Sequence, residues 1–84
     1  MIHFTLYSRT YCHLCDDMLA ALRGLEIAGP ISIAVVDVDA DETLVAQYDE
    51  LVPVLVASRN GQPVQQLCYY FLDEVAVRAF IAQP

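Results

Sequence analysis

The sequence predicts an α/β fold: a four-stranded mixed sheet with helices on both faces, built in the order βαβαββα. Three observations carry this. Short apolar runs rich in β-branched and aromatic residues alternate with segments whose apolar residues recur at helical spacing. Asn60-Gly61 stands between two of the apolar runs, a strong short-range hairpin signal. The 84 residues contain no linker, repeat, low-complexity tract or change of composition, so residues 1–84 are expected to form one domain.

Residues 2–7 (Ile2-His3-Phe4-Thr5-Leu6-Tyr7) read as the first strand, closed by the polar cluster Ser8-Arg9-Thr10. After Cys12, the residues Leu14, Met18, Ala21, Leu22 and Leu25 recur at helical spacing. Asp16 and Asp17 occupy the first turn and Gly29-Pro30 follow the end, which predicts a helix over 13–27. Residues 31–38 are apolar on both alternating faces, the pattern of a parallel strand covered by helices on both sides. Asp39 or Asp41 can cap a short helix running to about Tyr48, with Leu44, Val45 and Tyr48 inward. Residues 53–57 and 64–69 flank the Asn-Gly turn and read as antiparallel third and fourth strands. Leu72, Val75, Ala76, Ala79 and Phe80 then follow an i, i+3, i+4, i+7, i+8 pattern with Asp73 and Glu74 in the first turn, where the helix dipole favours anions. A third helix closes the chain, and the leading βαβ unit is expected to be right-handed.

Composition limits what such a domain can do. Apolar residues make up 57% of the chain, and a sheet buried on both faces accounts for them. The longest stretch without a polar residue, 51–57, is far shorter than the ~20 residues a membrane-spanning helix needs, so no membrane association is expected. Eleven Asp and Glu face four Arg and no Lys, for a net charge of -7. Phosphate backbones and anionic lipids would be repelled, which excludes nucleic acid as an expected partner. Met1-Ile2-His3-Phe4-Thr5 has neither a basic region nor a cleavable apolar segment, so a cytoplasmic location is expected.

Chemistry concentrates in Cys12-His13-Leu14-Cys15, between the first strand and the first helix. A helix start offers unpaired N–H groups and the positive end of the dipole, which stabilise a thiolate. Cys12 is the natural nucleophile. Cys15, one turn on, is placed to attack a mixed disulfide on Cys12 and so to act as the resolving thiol. Two other readings stand beside this one. A zinc site would need two further ligands, and Cys68, His3 and His13 form no second CxxC or HxxxH arrangement, so no metal is expected. Both cysteines could instead be small buried hydrophobes. Cys68, alone near Tyr69 and Tyr70, fits packing better than chemistry. Pro53 at the start of the third strand need not donate to the ladder, and the topology brings it to the same sheet edge as the cysteines.

With these features in place, the chain resembles the thioredoxin superfamily, and its glutaredoxin-like branch in particular. The resemblance rests on Tyr7-Ser8-Arg9-Thr10-Tyr11-Cys12-His13-Leu14-Cys15 after the first strand, on Val52-Pro53 before the third, and on the element order over essentially all 84 residues. It implies a thioredoxin fold, a cis Val52-Pro53 bond, and a Val52 backbone that pairs with an incoming substrate. It also implies that Arg9 stands where glutaredoxins usually carry Lys, that Tyr11 and His13 flank the substrate, and that Asp73 belongs to the acids that hold an amine. The pattern departs from glutathione-binding members at Asp49-Glu50-Leu51 before the proline, at Tyr69-Tyr70-Phe71-Leu72 after the last strand, and at His13-Leu14 in place of Pro-Tyr.

The implied function is that of a small dithiol thiol–disulfide oxidoreductase. It would bind no cofactor, exchange the Cys12–Cys15 disulfide with protein or low-mass thiols, and draw electrons from glutathione or a thioredoxin-reductase-type system. It is expected to act as a monomer. The alternative is a binding module of the same fold that docks a basic partner on an acidic edge, with cysteines that are idle or hold metal. The topology puts every acid except Glu26 at or near the Cys12 edge, with Arg9 as the sole base there. That local field opposes the dipole at Cys12 and disfavours anionic glutathione.

Overall fold

The computed structural model describes residues 1–83. Four strands form one mixed sheet in the order β2-β1-β3-β4, with β1 (Ile2–Ser8), β2 (Ile31–Asp37), β3 (Val54–Arg59) and β4 (Gln65–Tyr69). β1 runs parallel to β2, with Ser8 opposite Asp37, and antiparallel to β3, with Tyr7 opposite Val54. β3 and β4 are antiparallel, and Leu67 is the extra residue of a bulge facing the Leu55–Val56 step. Three α-helices complete the expected order: α1 (His13–Gly24), α2 (Glu42–Tyr48) and α3 (Glu74–Ala82). A single 3-10 turn, Val38–Ala40, links β2 to α2.

The helices divide the core into two. On one face Phe4, Leu6, Leu55, Ala57 and Cys68 of the sheet meet Met18 and Leu22 of α1 and Val77 and Phe80 of α3. On the other, Val54 and Val56 meet Val38 and Tyr48, with Tyr7, Leu44, Leu51 and Val52 around them. α2 is short and covers only the half of its face nearest the C-terminal end of β1. Beyond it the face carries polar groups, and His3 bridges strands there through Ser32 Oγ at 2.8 Å and Asn60 Oδ1 at 2.7 Å.

Three sequence expectations need correction. β2 is an edge strand rather than one covered on both sides: Ser32, Ala34, Val35 and Asp37 are exposed. α1 stops at Gly24 rather than continuing to 27, and Leu25 N–H closes it onto Leu22 O at 3.2 Å. The extended chain after it packs Leu25 and Ile27 against the core on alternate residues, which a further helical turn would not allow. Finally, both flanking helices are rotated from their predicted faces. Leu14 and Ala21 of α1 are exposed, whereas Cys15, Met18 and Leu22 are buried. In α3, Val75 is 80% exposed and Ala79 faces solvent, while Val77 is fully buried with Phe80. α3 is apolar nearly all round, so periodicity alone does not set its phase; Arg59, donating to Ile81 O at 2.7 Å and lying 5.1 Å from the Phe80 ring centre, locks the observed one.

The caps follow the acids. Asp41 Oδ1 accepts the Thr43 N–H at 2.9 Å and caps α2, and Asp73 Oδ1 accepts the Ala76 N–H at 3.0 Å and caps α3. Hydrogen bonds from the Thr43 hydroxyl and N–H hold the Asp41 carboxyl below its ordinary value. Its contribution to stability is therefore present above the unfolded carboxylate range and declines as pH falls through the lowered value.

The observed phase of α3 makes a paired prediction. Val77→Ala should cost about 1.5–3 kcal/mol of unfolding free energy through lost burial and a residual cavity, and Val75→Ala less than about 0.5 kcal/mol. Urea denaturation of the two variants checks it, and equal effects would refute the phase.

Candidate active site

The CxxC segment lies where β1 hands over to α1. Cys12 is the N-cap of α1: its Sγ accepts the Cys15 N–H at 3.1 Å, so the sulfur occupies the place of a capping oxygen. Cys12 and Cys15 are joined as a disulfide with their Cα atoms 5.2 Å apart. The two sulfurs differ in access. Cys12 is partly exposed, while Cys15 is 1% exposed and continues the buried stripe of Met18 and Leu22. That asymmetry suits an outer sulfur that meets substrate and an inner one that resolves.

The residue before the pair is unusual. Tyr11 has φ 59°, a left-handed conformation that a bulky side chain rarely adopts, and its ring is fully exposed. His13, the first residue of α1, is also exposed. Both flank Cys12 as expected, and neither touches the core.

The second wall of the site is the Val52-Pro53 peptide, which is cis. Pro53 is buried and immediately precedes β3, whose first residue Val54 pairs with Tyr7 of β1. Tyr70 holds this loop twice: its N–H donates to Pro53 O at 2.9 Å and its hydroxyl donates to Glu50 O. Tyr70 itself has φ 65°, a region where glycine would carry no penalty, so its clamp is made at a backbone cost. The Val52 N–H donates to Tyr48 O at 3.1 Å. Its donor is therefore already engaged within the protein, and pairing with a substrate would fall to its carbonyl. The ring of Tyr48 stacks on Tyr7 with centroids 4.5 Å apart, which fixes the end of α2 against β1.

Arg9 is the largest departure from expectation. Its Nε and Nη2 donate to the two oxygens of Asp39 at 3.0 Å each, and Nη2 also donates to Asp49 Oδ1 at 2.7 Å. The hydrogen bonds to Asp39, then the one to Asp49, raise the guanidinium pKa further above its already high ordinary value. Arg9 thus ties the β1–α1 loop to the 3-10 turn and to the end of α2, and the positive charge expected to face substrate is already shared by two carboxylates. The Asp73 carboxylate is likewise engaged, as the cap of α3, although it lies at the expected edge.

Asp73 also borders a shallow groove of about 500 Å³ between β4 and α3, with Tyr69, Phe71 and Val75 exposed along it. Cys68 lies at its base. Burial pushes the Cys68 thiol up, the Asp73 carboxylate adds to this, and a hydrogen bond from the Asp73 backbone opposes it. Cys68 therefore remains a protonated packing residue. Among the described residues, no three His, Cys, Asp or Glu side chains converge in a way that could hold a metal ion, and no helix is long and apolar enough to cross a membrane.

Asp39, Asp49 and Tyr70 emerge as organisers that the sequence did not single out for these roles. Arg9 and its partners are 30 and 40 residues apart in the chain, and Tyr70 is 20 residues from Glu50, beyond the reach of any local pattern.

Comparison with known proteins agrees with this architecture. Residues 3–82 match the model of the glutaredoxin-like domain (DUF836). A solution structure of protein Ne2328 from Nitrosomonas europaea is similar at 37% identity and a TM-score of 0.79, covering 94% of this chain and 89% of the other. Protein XcR50 from X. campestris is similar at 33% identity and a TM-score of 0.60, covering 96% and 99%. Oxidised mitochondrial thioredoxin 3 from Saccharomyces cerevisiae, at 21% identity and a TM-score of 0.69 over 95% and 76%, shares the fold. Among curated proteins none matches the chain. With a helix-capping cysteine pair, a cis-proline before β3 and a match to the family model over residues 3–82, the chain belongs to the glutaredoxin-like (DUF836) family, and its β2-β1-β3-β4 sheet gives it the thioredoxin fold.

Proposed function

We propose that the protein is a thiol–disulfide oxidoreductase. The carrying observation is the unequal burial of a bonded cysteine pair at a helix N-terminus, with Cys12 accessible and Cys15 at 1% exposure. In the reduced protein the N–H groups of the first turn and the helix dipole favour the Cys12 thiolate, as they would any anion at that position.

The chemistry balances as two exchanges. The Cys12 thiolate attacks one sulfur of a substrate disulfide; that S–S bond breaks, one thiolate leaves and takes a proton from water. Cys15 then loses its proton and attacks Cys12 Sγ, which releases the second substrate thiol. Two electrons pass to the substrate, and the Cys12–Cys15 bond of the present structure is formed. A thiol or dithiol reductant, of the glutathione or thioredoxin-reductase type, restores the dithiol. The exposed Tyr11 and His13 on one side and the Pro53 loop on the other bound the approach to Cys12, leaving the Val52 carbonyl to accept a hydrogen bond from substrate.

Two predictions test this. Cys12→Ser should abolish reduction of a protein disulfide by at least about a thousandfold, whereas Cys15→Ser should accumulate a mixed disulfide on Cys12, read as a mass increase equal to one substrate half. A Cys12→Ser protein that still turns over would eliminate the proposal. In the reduced native protein, iodoacetamide at neutral pH should label Cys12 at least about ten times faster than Cys15 or Cys68, because reactivity follows thiolate character and access. Peptide mapping of the labelled sites measures it, and equal labelling would remove Cys12 from the nucleophile's role.

A further inference from the structure

Arg9 is three residues from Cys12, so their Cα atoms lie no more than about 11 Å apart, a distance comparable to the screening length at physiological salt. The other three arginines do not serve this edge. Arg59 binds Ile81 O over the Phe80 ring, Arg78 binds Glu26 O and lies 3.6 Å from Glu74, and Arg23 is in the last turn of α1. Among the arginines, Arg9 alone can meet an anionic substrate beside the N-terminus of α1. Arg9, however, is gripped in a fork by Asp39 and capped by Asp49 on the same Nη2, so one positive and two negative charges leave this cluster with a net charge of minus one. Nε and Nη2 are thereby committed, and an anion reaching for the Nη1 donors meets a cluster that is already net negative.

Building on the oxidoreductase reading, we infer that Asp39 and Asp49 are specificity-determining residues of the Cys12 site. By holding Arg9 they make the site accept neutral and cationic disulfides and turn away anionic ones. They touch neither sulfur. Their action is through Arg9 and the local field, and it concerns the encounter rather than the exchange. The loops that leave the same sheet edge carry further acids, Asp37 opposite Ser8 and Glu50 beside the proline loop, which bias the field in the same sense.

The test uses the protein reduced with dithiothreitol and freed of it, and three small disulfides: cystamine, which is cationic; bis(2-hydroxyethyl) disulfide, which is neutral; and glutathione disulfide, which is anionic. Each is reduced to two thiols as Cys12 and Cys15 become bonded, and each rate is divided by that of free dithiothreitol with the same reagent. In the unmodified protein at low salt the normalised rates should fall in the order cystamine, neutral disulfide, glutathione disulfide, with at least about a tenfold spread that narrows in 0.5 M NaCl. In the Asp39→Asn/Asp49→Asn protein the ratio of the glutathione to the neutral rate should rise at least about fivefold. Glutathione disulfide reacting as fast as cystamine at low salt, or a ratio unchanged in the folded double variant, overturns the inference. Even if the double variant does not fold, glutathione disulfide that keeps pace with cystamine in the unmodified protein at low salt still overturns the inference. If the neutral disulfide also fails to react, the oxidoreductase reading falls, and this inference with it.

Discussion

Tyr7 lies opposite Val54 because β1 and β3 run antiparallel, and the position of every functional loop descends from that register. The end of β1 must then meet the beginning of β3. The CxxC segment leaves the end of β1 and the cis-proline segment leads into β3, so the two are brought together although 40 residues separate Cys12 from Val52. β1 is also paired with β2, whose last residue Asp37 stands beside Ser8 and delivers the 3-10 turn to the same edge. β4 ends there too, with Tyr69 opposite Val54, so that Tyr70 reaches the proline loop. β1 and its two hydrogen-bonded neighbours thus gather three loops, and β4, paired to β3, adds the fourth.

A small set of contacts crosses between those loops and holds them. Arg9 joins three segments through two carboxylates, Tyr70 joins β4 to the 50–53 loop, and Tyr48 joins α2 both to β1 by stacking and to the proline loop through its carbonyl. Exposed ion pairs taken singly contribute about 0–1 kcal/mol, but a fork that fixes two loops at once acts mainly on their geometry. The apolar cores beneath supply the stability, and the polar contacts decide where the loops rest.

The element order was legible because each strand and helix carries local signals: the Asn-Gly turn, the acids that cap α2 and α3, and the cysteine at the first turn of α1. The placement of the CxxC pair at the start of α1 was legible for the same reason. The phase of α3 was not: Glu74 and Arg78 form a polar stripe at i,i+4, but Val75 and Ala79 face solvent beside it while Val77 and Phe80 pack on the sheet, with Arg59 over the Phe80 ring. β2 misled in the opposite way. Its apolar residues suggested cover on both sides, but strand order places it at the edge, and a helix of seven residues cannot shield the whole second face. The state of Arg9 depends on partners that only folding brings near.

Cys15 gives the molecule one more property. Its sulfur belongs to the stripe that α1 buries against the sheet, whereas its partner Cys12 is partly exposed. In the proposed couple, the dithiol that holds the electron pair and the disulfide that has given it up both keep one sulfur in the core, which makes core packing and electron affinity thermodynamically linked quantities. Any change beneath α1 that favours the reduced over the oxidised form by about 1.4 kcal/mol shifts the couple by about 30 mV, without touching a residue that substrate meets. The potential of such a protein can therefore be tuned from inside, through residues such as Met18, while its surface remains free to specify partners.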